Sequence, residues 1–371
     1  MRNQTDFSGT GSRTPAPTEK MNGLSLIELM IAMVLGLILT LGVMQIYLGS
    51  SQTYRLTDAI AHTQENIRFA ATMIERDVRG AGGLSCLQNA GDVDVKLQGN
   101  RVVDLADGLI GWEFDGTEPG DEFEASEELE AAGSGNWLQG AGGTPFPAEI
   151  DGEIRSGSDV LIVNSLQTIS VDITGSSTGT ITLDGASGIP SGRIVLAVDA
   201  NCSSGELFQK ANNETANSVP IAGGGFDPGN LPSSGFENSY GPNARVAEHS
   251  TFAYYIGEGA SGEPALMRQR LDAGSPSPEE LVEGVESLQI LYGIATGPLR
   301  QVDQYVTAAA VTDWSEVMSV RLSFLARSVE NANADAGARD FNLAGTVISS
   351  PDDRRARLVS TMTVGIRNRL E

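Results

Sequence analysis

Apolar side chains run almost unbroken from Leu24 to Leu48, and Glu28 is the one charged residue among them. At about 1.5 Å of rise per residue, such a segment crosses the roughly 30 Å hydrocarbon core of a bilayer as a helix. It reads as a transmembrane segment. Beyond Leu48 the hydrophobicity falls but the helical period persists, with Leu56, Ile60, Ile67, Ala71, Ile74 and Val78 recurring at steps of three, four or seven. Arg55, Asp58, Glu65, Arg68, Arg76 and Arg79 take the other face, and Glu75 with Arg79 forms a favourable i,i+4 pair. Gly80, Gly82 and Gly83 end the pattern. The pattern predicts one helix over 24–80, half in lipid and half packed on a soluble domain.

The period then changes. Short alternating or apolar runs recur between turn residues at Asp159–Leu166, Thr180–Leu183, Arg193–Val198, Phe252–Ile256, Val285–Tyr292, Val317–Ser328 and Leu358–Arg367. In the run after Glu316, Met318, Val320, Leu322 and Phe324 share one face while Ser319, Arg321 and Ser323 share the other, the signature of a half-buried strand. One long helix on an antiparallel β-rich domain makes the fold class α+β. The Gly-, Asn-, Pro- and acid-rich stretches 92–153 and 212–248 read as long loops or insertions.

Composition narrows the function. The formal charge is −24, with 48 acidic against 24 basic residues, so the clustered cations of a nucleic-acid groove are missing and nucleic-acid capture by this chain alone is excluded. The acids gather in loops, notably Asp115–Glu130; their spacing does not match an EF-hand, and a solvated acidic loop is the simpler reading than a calcium site. There are two histidines, His62 and His249, too few for a multi-histidine metal centre and poor material for a triad. No Gly-x-Ser-x-Gly elbow or phosphate loop occurs. The reading is non-enzymatic, with no cofactor and no metal. Two cysteines, Cys86 and Cys202, have neither a histidine neighbour nor a Cys-x-x-Cys spacing. In an oxidising compartment they read as one disulfide closing a long loop, worth ~4.7 kcal/mol on the chain-entropy model, the alternative being two buried thiols.

Glu28 remains to be explained, because a charge in a membrane helix costs at least ~2.5–3.5 kcal/mol and marks a functional site. Gly23-Leu24-Ser25-Leu26-Ile27-Glu28-Leu29 resembles the class III signal of type IV prepilins. The resemblance implies that a membrane peptidase cuts after Gly23 and methylates the new terminus at Leu24, where the family more often has Phe. Glu28 then becomes the fifth residue and meets the N-terminal amine of a neighbouring subunit, a pairing far less costly in low dielectric than either charge alone. Residues 1–22, polar with Arg2, Arg13 and Lys20, look like a leader, and Met21 is an alternative start that leaves a very short one. The family often breaks the membrane helix at Gly and Pro; here Gly36 and Gly42 occur without a Pro.

The run Met73–Cys86 is similar to the helix end of PilW-like minor pilins. So, in order and spacing, are Tyr254-Tyr255-Ile256, Leu266-Met267-Arg268, Glu280–Gly293, Tyr305-Val306, Trp314 and Val364–Arg369. The resemblance divides the chain into a prepilin leader (1–23), a transmembrane and assembly half of the helix (24–48), an amphipathic half (49–83) and a periplasmic β-rich domain (84–371). It implies a structural subunit of a minor-pilin complex that primes type IV pilus assembly and stays near the tip. Its partners are then other minor pilins, the major pilin, the prepilin peptidase, the inner membrane and a tip adhesin. Two alternatives are a J-type minor pseudopilin of type II secretion and an adhesin or ligand-binding module carried on a pilin stem.

Overall fold

The computed structural model describes residues 25–99, 105, 107–140, 144–221, 225–232, 235–274, 277–297 and 301–369. They fall into two compact units, one ending at Thr53 and one beginning at Tyr54. The helix Leu26–Arg79 contributes to both. In the first unit its apolar side chains are exposed, and this is the one described helix long and apolar enough to cross a membrane.

In the second unit the helix buries Thr63, Ile67, Ala70, Ile74, Asp77 and Val78. Ile67, Ile74 and Val78 belong to the expected stripe, while Leu56, Ile60 and Ala71 are only half-buried. The helix stops where Gly82 takes a positive φ of 66°, a conformation that costs a residue with a Cβ. Arg76 and Arg79 lie in the last turn, where cations complement the carbonyl end, and Arg79 pairs with Glu75.

Among the described residues, the second unit holds four sheets. The largest has nine strands, whose main path runs Val93–Val95, Gly205–Gln209, Ile194–Val198, Arg245–Glu258, Val160–Thr168, Leu109–Phe114 and Trp137–Leu138; Pro264–Arg270 and Glu279–Glu283 extend it from Arg245–Glu258. A four-stranded antiparallel sheet has the order Gln304–Val306, Val285–Ile294, Val317–Asn331, Arg355–Gly365. Two three-stranded sheets flank them. The main core joins Ile74 and Val78 of the helix to Leu109, Ile162 and Tyr254 of the large sheet and to Leu288, Leu322 and Val364 of the four-stranded one.

Two readings of the sequence need correction. The stretch 92–153 is not loop throughout: Leu109–Phe114 is a strand with every residue buried. Inside the acidic run, Glu122–Glu124 pairs in parallel with residues of Thr346–Ser349, and Glu127 pairs with buried Arg327. Likewise 212–248 contributes Ser218–Pro220 and the start of Arg245–Glu258. Leu-Ile-Gly-Trp-Glu-Phe is too short and too closely bracketed by Gly and Asp for periodicity to flag it, and its burial comes from distant partners. The second correction concerns Val317–Asn331, which is covered on both faces. Its polar face holds buried Ser319 and Ser323, bonded to Tyr305 and Thr361, while Arg321 lies 3.8 Å over the Tyr305 ring.

Candidate functional site

The described chain begins at Ser25, so Gly23 and Leu24, the expected cleavage and methylation positions, lie outside the described residues. Glu28 is inside them, in the first turn of the helix. Its carboxylate accepts the backbone N–H of Ser25 at 3.2 Å, while the Ser25 hydroxyl oxygen accepts the N–H of Ile27 at 3.2 Å. This reciprocal arrangement is a capping box, and it satisfies two of the donors that a helix start leaves open. An acid here also complements the positive end of the helix dipole. The signal for this cap is legible in the sequence as Ser25-x-x-Glu28. From Leu26 to Tyr54 no second charged residue occurs.

The other end of the helix is held by three groups of contacts. Asp77 is buried, a carboxylate on the apolar stripe. The Tyr254 hydroxyl donates to its Oδ2 at 2.5 Å, Arg268 approaches the same oxygen at 3.8 Å, and Arg76 donates to Oδ1 at 3.1 Å. The guanidinium of Arg268 also lies 4.6 Å from the Phe252 ring centroid and bonds Glu279. Burial, with the adjoining Asp77 carboxylate, drives the Tyr254 phenol far above its ordinary range, so it remains a donor. Sequence reading missed Asp77. Its signal was an acid three residues after Ile74 and seven after Ala70, within the stripe itself.

Past the last turn, the Asn368 amide donates to Ala81 O at 3.1 Å and Gly80 O at 3.3 Å, using carbonyls that the helix end leaves open. Buried Arg369 donates to Val317 O at 2.8 Å and to Trp314 O. Next, Cys86 and Cys202 are joined by a disulfide across 116 positions, tying the segment after the helix to the turn between Ile194–Val198 and Gly205–Gln209. Among the described residues there is no free cysteine.

The histidines take ordinary places. His62 is exposed beside Asp58, and His249 is buried, its pKa lowered to about 4 chiefly by desolvation despite Asp272 at 3.9 Å. Among the described residues, no group of three His, Cys, Asp or Glu side chains is placed to hold a metal ion.

Residues 253–368 match the family described as Type IV Pilus-assembly protein W, and residues 20–44 match the Prokaryotic N-terminal methylation motif. These two segments are what the chain has in common with PilW-like type IV pilins. No curated protein matches the chain. Among solved structures, a type IV-like pilin from Thermus thermophilus is similar at 12% identity over 83% of this chain and 97% of that one, with a TM-score of 0.31. The block matched over 253–368 contains Tyr254, Arg268 and Asn368, side chains that contact the helix end. The methylation motif covers the capping box and the first part of the apolar helix. The two matches thus bracket the helix at its start and at its seat.

Proposed function

We propose that this chain is a minor pilin that joins other minor pilins in a small complex priming type IV pilus assembly and remaining near the tip. The observation that carries the proposal is the joint presence of a methylation motif over residues 20–44 and a pilus-assembly block over 253–368 in one chain. In this reading the prepilin peptidase cuts after Gly23 and methylates Leu24. The subunit waits in the inner membrane through its apolar helix with its β-rich domain in the periplasm, and it acts as a structural part rather than an enzyme.

Cleavage changes what Glu28 meets. It places a cationic amine on Leu24, next to the Ser25 N–H that Glu28 accepts in the described helix. When subunits gather, the carboxylate leaves that local bond for a neighbour's amine, a charge-assisted pairing stronger than a bond to one neutral N–H. Leaving one charge of such a pair buried and unmatched typically costs ~3–5 kcal/mol, a loss of hundreds-fold or more in association. Glu28→Leu should therefore insert and be processed normally, yet recover far less of its partner pilins in a quantitative pull-down from membranes at matched abundance. Equal recovery would remove Glu28 from the assembly contact. Processing is tested separately: mass spectrometry of the filament-associated chain should find methylated Leu24 at the terminus, and an intact leader there would sink the assignment.

A further inference from the structure

The strands Leu109–Phe114 and Val160–Thr168 pair with Gly111 opposite Leu161 and Trp112 opposite Val160. Carried one step beyond the Trp112–Val160 pair, the same register sets Glu113 against Asp159, whose carboxylate acts on that of Glu113. Opposed residues share a face with Cβ atoms ~4.5–5.5 Å apart, and like charges there repel. Both acids are 2% exposed.

Asp159 lies where the two large sheets meet. Its Oδ1 accepts the N–H of Phe114 at 3.1 Å in one sheet and its Oδ2 the N–H of Ile290 at 2.8 Å in the other, while its own N–H donates to Leu288 O at 2.9 Å. Tyr292, also from the four-stranded sheet, is fully buried, and its hydroxyl occupies the space that a Cβ on Gly111 would take, on the face that Glu113 shares. Trp314 packs edge-on to its ring.

The groups facing the pair are acidic or neutral. Glu113 meets Asp159, Glu118, Tyr292, the Thr307 hydroxyl and the Ala308 N–H; Asp159 meets Glu113, Tyr292 and its two backbone donors. No lysine, arginine or histidine among the described residues pairs with either. Oε2 of Glu113 and the hydroxyls of Tyr292 and Ser158 are buried without a hydrogen-bond partner among the described residues. Two facing carboxylates buried without a cation cannot both be ionised at modest cost. Each oxygen of Asp159 already accepts an N–H, which favours its charged form, whereas Oε2 of Glu113 has no donor and is where a proton fits.

We propose that Glu113 and Asp159 hold one proton between them and that this proton keeps the two sheets joined, a clasp that loosens as the surroundings turn alkaline. The direction follows from burial and the facing carboxylate, which raise Glu113, and from burial, which raises Asp159. A group raised in the folded state contributes stability that is complete below its unfolded pKa, about 4 for a carboxyl. That stability is lost as pH climbs through the raised value, by up to about tenfold in the folding equilibrium per pH unit.

The test is unfolding of the full chain in detergent micelles at steps from about pH 5 to about pH 9, for wild type and Glu113→Gln. Wild type should lose stability steadily towards pH 9, and the variant should give a markedly flatter profile, overtaking wild type on the alkaline side. Should the variant fail to fold, infrared spectroscopy of wild type decides: a protonated carboxyl stretch present at neutral pH must fade with rising pH together with stability. Identical pH profiles for the two chains, or no protonated carboxyl stretch at neutral pH, would overturn the proposal. So would recovery of alkaline stability on adding calcium or magnesium chloride, which would assign the pair to a cation rather than a proton.

Discussion

The helix residues before and after Thr53 share one secondary structure and differ in what surrounds their side chains. From Leu26 to Thr53 no residue is buried, although Leu26, Ile38 and Ile46 are among the most apolar side chains of the protein. From Tyr54 to Arg79 six residues are buried, two of them the polar Thr63 and Asp77. A helix apolar all round requires lipid or other helices to cover it, whereas one with a single stripe is covered by its own domain. The first half therefore carries a demand that the chain alone does not meet, and the second carries the attachment. Glu28 and Asp77 repeat the contrast in charge. One acid is exposed and bonds only its own first turn; the other is buried and bonds a tyrosine 177 positions away.

The comparison can be broken by substitution. The largest effect should come from the covalent tie behind the second half: replacing Cys86 and Cys202 with Ser should cost about 4–5 kcal/mol, read as a lower urea midpoint of the purified chain in micelles. An unchanged midpoint would show that the helix seat does not depend on that closure. Next is burial. Ile74→Ala empties a fully buried site and should cost about 2–5 kcal/mol, while Leu35→Ala in the first half should leave unfolding of the globular unit unchanged. Equal losses from the two would abolish the distinction between the halves.

A smaller effect is due from Tyr254→Phe, which keeps the ring and deletes the donor to Asp77. Loss of a hydrogen bond to a charged group should cost about 1.5–3 kcal/mol in thermal or urea unfolding. Asp77→Asn should then cost less in that background than in wild type, since the contact to Tyr254 is already gone and only those to Arg76 and Arg268 remain to be lost. Full additivity would contradict the contact between Tyr254 and Asp77. The smallest change sharpens the other end: Ser25→Ala removes one arm of the capping box and should weaken the first turn by about 1 kcal/mol, visible as faster amide exchange at Ile27 without a shift in the globular melting temperature.

Much of the helix was legible because its two codes are local. An unbroken apolar run and a 3.6-residue stripe need no knowledge of the rest of the chain, and the glycines after Arg79 mark its end for a backbone reason. Val160–Thr168 and Val317–Asn331 were legible as long apolar or alternating runs and Thr180–Leu183 as a short one, whereas of Arg245–Glu258 only Phe252–Ile256 was read. Leu109–Phe114 was not, nor was the covering of the polar face of Val317–Asn331, because both depend on segments far away in sequence. At the candidate site the same division holds. Glu28 stood out against lipid-compatible neighbours, and its cap lay in a three-residue spacing. Asp77 looked like one more acid on an amphipathic helix, since its use requires Tyr254 and Arg268.

Sequence alone determined where the chain can meet lipid, where the helix ends, that the remainder is β-rich, and that Glu28 is costly unless matched, because each follows from side-chain transfer energies and backbone geometry over a few neighbouring residues. Tertiary structure alone decided which acids are buried, which pair of strands sets Glu113 against Asp159, and which residues of the 253–368 block grip Asp77 and the carbonyls after it. The physical reason is that burial and register are properties of pairs of segments. An isolated carboxylate costs the same in every sequence, and what neutralises it is brought by the fold.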